Sequence, residues 1–185
     1  MRCLNKETGA KLKAYGDDYK RLKEDKEILE NSFEEARKSD KYLQRSKDDY
    51  LLASATKKLI ENLELRLEIG LPENYQNLYH WFIIISYYSM YHAATAAIAK
   101  KKIKCISHIA TITSLAKHYA TDEELEFDFV KTLRHAYINY IEGGRERRRH
   151  AQYDVDIEYS KQESYQVFED AGKFVKRIQQ ILEDD

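Results

Sequence analysis

Trp81-Phe82-Ile83-Ile84-Ile85-Ser86-Tyr87-Tyr88-Ser89-Met90-Tyr91-His92-Ala93-Ala94-Thr95-Ala96-Ala97-Ile98 is apolar nearly all the way round when wound at 3.6 residues per turn. A helix without a polar face must be wrapped by others. This stretch therefore predicts the central helix of a bundle, running from about Glu73 to Lys101. Ala93, Ala94, Ala96, Ala97 and Ala99 are small enough to let a neighbouring helix come close.

Composition supports the same reading. One proline and six glycines in 185 residues leave few places to turn, which favours a few long helices over many strands. Hydrophobic residues make up 43% of the chain and charged ones 34%, enough for a real core under a charged surface. The length fits one domain with an extension. With a net charge of -1, any attraction to nucleic acid must come from local patches. Cys3 and Cys105 form no disulfide or zinc pattern, so a reducing, cytoplasmic setting is expected. The first residues carry no signal-peptide pattern, and the most apolar run, Trp81 to Ile85, is short for a membrane span; no membrane partner is expected.

Outward from the central helix, residues 1–31 are charge-dense and poor in apolar residues. They read as an N-terminal extension with a helix around Asp18 to Glu30, ahead of a helical domain over 32–185. Ser32 and Glu35 have the spacing of a capping box that opens a helix towards Ile69. On that helix Leu52, Ala55, Leu59, Leu63 and Leu67 predict one buried stripe. Gly70-Leu71-Pro72 stops the chain and restarts it into the central helix. A lysine loop, Lys100 to Lys104, leads to a shorter helix over Ser107 to Tyr119. Thr121 and Glu124 would cap a helix carrying Phe127, Val130, Leu133, Tyr137 and Ile141, which Gly143-Gly144 is expected to interrupt. Ser160 and Glu163 cap a last helix with a core face of Val167, Ala171, Phe174, Ile178 and Leu182. No strand is evident. The expected fold is an all-α antiparallel bundle of about five helices with a charged helical extension.

The chemistry-bearing stretch is Arg145-Glu146-Arg147-Arg148-Arg149-His150, just past the double glycine. Arginine is a permanent cation that forks onto phosphate, and histidine accepts and returns a proton near neutral pH. Together they can cleave a ribonucleotide backbone without metal. Spacing alone does not separate the pair from a basic helix that binds nothing in particular. On a regular helix Arg145 and His150 point about 140° apart, so one straight helix cannot aim both at one phosphate. Either the glycines let Arg145 bend back, or Arg145 works with the His150 of a second subunit. Arg147, three before His150, can share its face, and Arg147, Arg148, Arg149, Lys102 and Lys104 are candidate phosphate contacts. Tyr153 is the nearest candidate hydroxyl. His92 reads as a core or cleft histidine and Ser107 as a helix cap. The remaining histidines lack ligand spacing, so no metal and no cofactor are expected.

The run Tyr87-Tyr88-Ser89-Met90-Tyr91-His92-Ala93-Ala94 resembles the central helix of HEPN domains, and Arg145-x4-His150 resembles the Arg/His signature of their ribonuclease members. The resemblance spans roughly residues 32 to 183 and includes the lysine loop leading to Ser107-His108. It implies a metal-independent endoribonuclease that dimerises so that two Arg/His motifs face one cleft. His150 would act on the 2′-hydroxyl and Arg145 would steady the phosphorane, leaving a 2′,3′-cyclic phosphate and a 5′-hydroxyl. Many such proteins are toxins restrained by a minimal nucleotidyltransferase; others have lost the motif and only bind RNA, a nucleotide or that partner. A purely structural helical dimer is the third reading. The chain departs from the family pattern at Glu146, where active members often carry Asn, Asp or His. It departs again at Tyr153, which falls three residues after the histidine where tyrosines modified by AMP transfer fall two after it.

Overall fold

The computed structural model describes residues 6–73, 75, 77–121, 133–154 and 156–183. Among them the protein is all-α apart from two very short strand pairs. The elements are α1 (Lys6–Glu24), β1 (Ile28–Leu29), α2 (Phe33–Ala36), α3 (Ser39–Glu61), α4 (Leu63–Glu68), α5 (Asn77–Lys100), β2 (Lys104–Cys105), α6 (His108–Tyr119), β3 (Ala120–Thr121), β4 (Leu133–Arg134), α7 (His135–Tyr153) and α8 (Lys161–Glu183).

Helix α5 is central, packing against α3, α6, α7 and α8. Phe82, Ile83, Tyr87, Met90 and its alanines are fully buried. By length and composition Leu78–Lys100 could cross a membrane, a longer apolar run than Trp81 to Ile85 suggests, but most of it is buried inside the bundle. Helix α8 follows its sequence pattern: Val167, Ala171, Phe174 and Ile178 are buried, and Ile181 joins them. Ser160 and Glu163 form a reciprocal capping box, each accepting the other's backbone N–H at 3.2 Å and 3.0 Å.

Helix α3 inverts its expected face. Leu52 and Leu67, the latter on α4, are 55% and 54% exposed, whereas Ala53 is fully buried beside Ser46, Thr56 and Ile60. The reason is the seam with α5. Ser39 Oγ donates to the Ala96 carbonyl at 2.9 Å, and Ser46 Oγ donates to the Ser89 carbonyl at 2.7 Å. Backbones this close leave room for serine and alanine and none for leucine. The helix expected from Ser32 to Ile69 is also broken into three. Ser32 Oγ accepts from the Glu35 N–H at 3.4 Å, but the Glu35 carboxylate turns to Tyr42 and Lys38, so the capping box is only half made. Asn62 caps α4 through the Leu65 N–H at 3.0 Å.

The N-terminal helix lies earlier than expected and ends at Glu24, where Lys26 and Asn31 take positive φ angles of 60° and 63°. Its Tyr19 and Leu22, together with Ile28 of β1, enter the main core. Strand β1 pairs antiparallel with β2, Ile28 opposite Cys105, an element the sequence pattern does not reveal. β3 pairs with β4 in parallel. Leu133 therefore lies in a strand, and α7 starts at His135. Phe127, Val130 and the Glu124 half of the expected cap lie outside the described residues.

Candidate functional site

Helix α7 runs without interruption through Gly143 and Gly144. The glycines serve approach: a Cβ on Gly144 would stand 2.6 Å from Met90 Cε and 3.3 Å from Tyr87 Cδ2. A bend that would bring Arg145 back over His150 is thereby removed, and the two side chains leave the helix about 140° apart.

Arg145 and Arg148, one turn apart, face α5 and α6. The charges of both act on Tyr87 and His108. Arg145 Nη2 bonds Glu146 Oε1 at 2.6 Å, and Arg148 Nη2 donates to the Tyr88 hydroxyl at 2.6 Å with its guanidinium 5.3 Å from that ring's centroid. The Nε of each arginine is buried and without a partner among the described residues. Arg147 lies towards α8, where its charge reaches Glu163 and Asp170. Arg149 is exposed, pairs with Glu146 at 3.4 Å, and sits with Nη2 3.1 Å from His150 Nε2. A guanidinium only donates, so this ring nitrogen accepts. Tyr153 ends the helix, 70% exposed, its ring 5.8 Å from Arg148. Lys102 stands over the Phe33 ring at 4.5 Å, and Lys104 lies close enough to Glu34 for their charges to interact, so both sit beside α2.

Ser107 is the helix cap that the sequence suggests and His92 lies half-buried, while the grouping of His108 with Tyr87 and Tyr91 is what the sequence pattern does not show. Ser107 caps α6, accepting from the Ala110 N–H at 3.1 Å and donating to Glu27 Oε2 at 2.5 Å. This fixes His108 at the helix start. Its ring stacks on Tyr91 with centroids 4.1 Å apart, and its Nδ1 meets the Tyr87 hydroxyl at 2.5 Å. Burial, then Arg148 and Arg145, then His92 hold the His108 pKa down to about 4, so the ring is neutral at pH 7. Burial also raises Tyr87, which keeps its proton. His92 Nδ1 meets Asp49 Oδ2 at 2.6 Å, and Arg45 takes the other oxygen at 3.4 Å. The available signals were the Ser-His step opening α6 and the Tyr88-Tyr91-His92 spacing on α5. A concavity lined by Lys161, Gln162, Tyr165, Gln166 and Glu169 belongs to α8 alone and gathers no such groups.

The arrangement defines an all-α bundle with a basic helix laid against tyrosines and histidines of α5 and α6. The chain is similar to a Methanocaldococcus jannaschii protein named "putative toxin", 29% identical over 127 residues, which cover 68% of this chain and 80% of that protein. No family model matches the chain. No solved structure matches it.

Proposed function

We propose that this protein is a toxin of the HEPN type acting as a metal-independent endoribonuclease. The observation that carries the reading is unbroken α7: it turns Arg145 towards Tyr87 of α5 and His108 of α6 while His150 stays half-buried on another face. That geometry calls for two copies, with Arg145 of one and His150 of the other bracketing one phosphate. In the reaction, His150 takes the proton of a ribose 2′-hydroxyl as its oxygen bonds the adjacent phosphorus. Arg145 neutralises the charge gathering on the phosphorane oxygens. The P–O5′ bond breaks and the departing oxygen receives the proton, giving a 2′,3′-cyclic phosphate and a 5′-hydroxyl. The reading places the protein in the cytoplasm as a homodimer, with a minimal nucleotidyltransferase as its antitoxin.

Incubation with mixed RNA in excess EDTA tests this. Wild type is expected to leave cyclic-phosphate ends, and His150→Ala or Arg145→Ala to lose at least about a hundredfold in rate. Undiminished cleavage by His150→Ala would sink the reading. One observation favours a second reading, a binder without catalysis: Glu146 already occupies Arg145 at 2.6 Å. RNA binding by a folded dimer that cleaves nothing would select it.

A further inference from the structure

The seam between α7 and the helices α5 and α6 carries an unbalanced charge. Arg145 is matched by Glu146, and His92 by Asp49. Arg148 meets only the neutral Tyr88 phenol and aromatic faces among its described partners. Its buried Nε–H has no acceptor among the described residues. A half-buried guanidinium that no carboxylate neutralises there keeps its charge and its terminal donors for an anion.

Two more donors point to the same class of ligand. Tyr88 accepts from Arg148, which leaves its own O–H free to donate. The Tyr87 phenol keeps its proton and meets His108 Nδ1 at 2.5 Å; with the phenol as donor, the neutral imidazole carries its hydrogen on Nε2. The His108 ring is 6.0 Å from that of Tyr88, and stacking on Tyr91 holds its orientation. Arg148 stands on α7, Tyr88 on α5 and His108 on α6, and guanidinium, phenol and imidazole N–H are donors suited to the several oxygens of a phosphate better than to the two coplanar oxygens of a carboxylate.

We propose that Arg148, Tyr88 and His108 form a phosphate-binding site within one subunit, distinct from the Arg145/His150 pair. It takes a ribonucleotide phosphate of the bound strand. This rests on the ribonuclease reading for the identity of the strand, and on the contacts among Arg148, Tyr88, His108 and Tyr91 for the site. The phosphate is an internal diester or a terminal monoester; both have the required oxygens and charge.

The test uses the full chain carrying His150→Ala, so that RNA survives, and a labelled oligouridylate with either a 5′-phosphate or a 5′-hydroxyl. Arg148→Gln is expected to weaken binding about tenfold and to make the salt dependence of log K shallower by about 0.7. Tyr88→Phe is expected to weaken it about threefold. Inorganic phosphate should shift the His108 ring signal in NMR saturably, and fail to do so in Arg148→Gln. Greater affinity for the 5′-phosphorylated strand, lost in Arg148→Gln, assigns a terminal monoester; equal affinity assigns an internal diester. A His108 signal indifferent to both phosphate and RNA overturns the proposal without any substitution at the site. So does Arg148→Gln binding as tightly as its parent while wild type cleaves RNA, an outcome that spares the ribonuclease reading. If wild type cleaves nothing while the His108 signal responds to phosphate and Arg148→Gln abolishes the response, the site stands and the ribonuclease reading falls.

Discussion

Gly144 is where the helix bearing the arginines touches the central helix, and its neighbour Gly143 makes the control. At Gly144 an added side chain runs into Met90 and Tyr87, both fully buried. At Gly143 it meets only the end of Arg147 at 3.3 Å, a long side chain that can move aside. Gly143→Ala is therefore expected to stabilise by about 0.5–1 kcal/mol through helix propensity, and Gly144→Val to destabilise by about 2–3 kcal/mol through overpacking. Urea unfolding reads both. A sequence reader sees two adjacent glycines and infers a break; only the approach of α5 shows that they let α7 continue. His108 carries a second residue-scale consequence. Its folded pKa of about 4 lies below the ordinary histidine value of 6.5. Between those two values the unfolded chain binds more protons, so stability falls as pH drops from about 6.5 to about 4. His118, also lowered by burial, adds in the same direction. Unfolding free energies measured across that window should lose part of their slope in His108→Gln; an unchanged slope would place the ring in water.

At the scale of elements, α5 was legible because it is long and apolar all round, and α8 because its apolar face is periodic and long. The Ser160–Glu163 cap was legible because it is local. Helix α3 was not, since of the expected stripe Leu52 is exposed and only Leu59 packs partly against the core, while Leu63 and Leu67 on α4 are exposed. Which face is buried was decided by the small residues of α5, a choice that periodicity within α3 does not contain. Ala53→Leu is accordingly expected to cost more than about 2 kcal/mol, and Leu52→Gln less than about 0.5 kcal/mol. Thermal unfolding of the pair separates the two faces, and the reverse order would restore the leucine stripe to the core. The Arg/His run was legible as a motif. The tyrosines and histidine that Arg148 meets were not, because Arg148 and Tyr88 are sixty residues apart and meet only through packing.

Across the whole molecule, the N-terminal stretch works as a strap. Tyr19, Leu22 and Ile28 are too sparse in a charged segment to announce burial, yet each reaches the main core. The Ile106 N–H donates to the Glu27 carbonyl at 2.9 Å, the Ser32 N–H to the Lys102 carbonyl at 2.7 Å, and Glu27 holds the cap of α6. Ile28→Ala is expected to cost about 2–4 kcal/mol. Cys105, opposite Ile28 in the strand pair, gives that strap a clock. Its Sγ is partly buried, 3.3 Å from Ser114 Oγ, and burial pushes the thiol up, so the strand pair slows its alkylation. In a Cys3→Ser background, the rate at which iodoacetamide consumes the remaining thiol should rise with each lifting of the strand. Ile28→Ala should quicken it, and a molecule opening at the opposite end of the bundle would leave the rate unchanged.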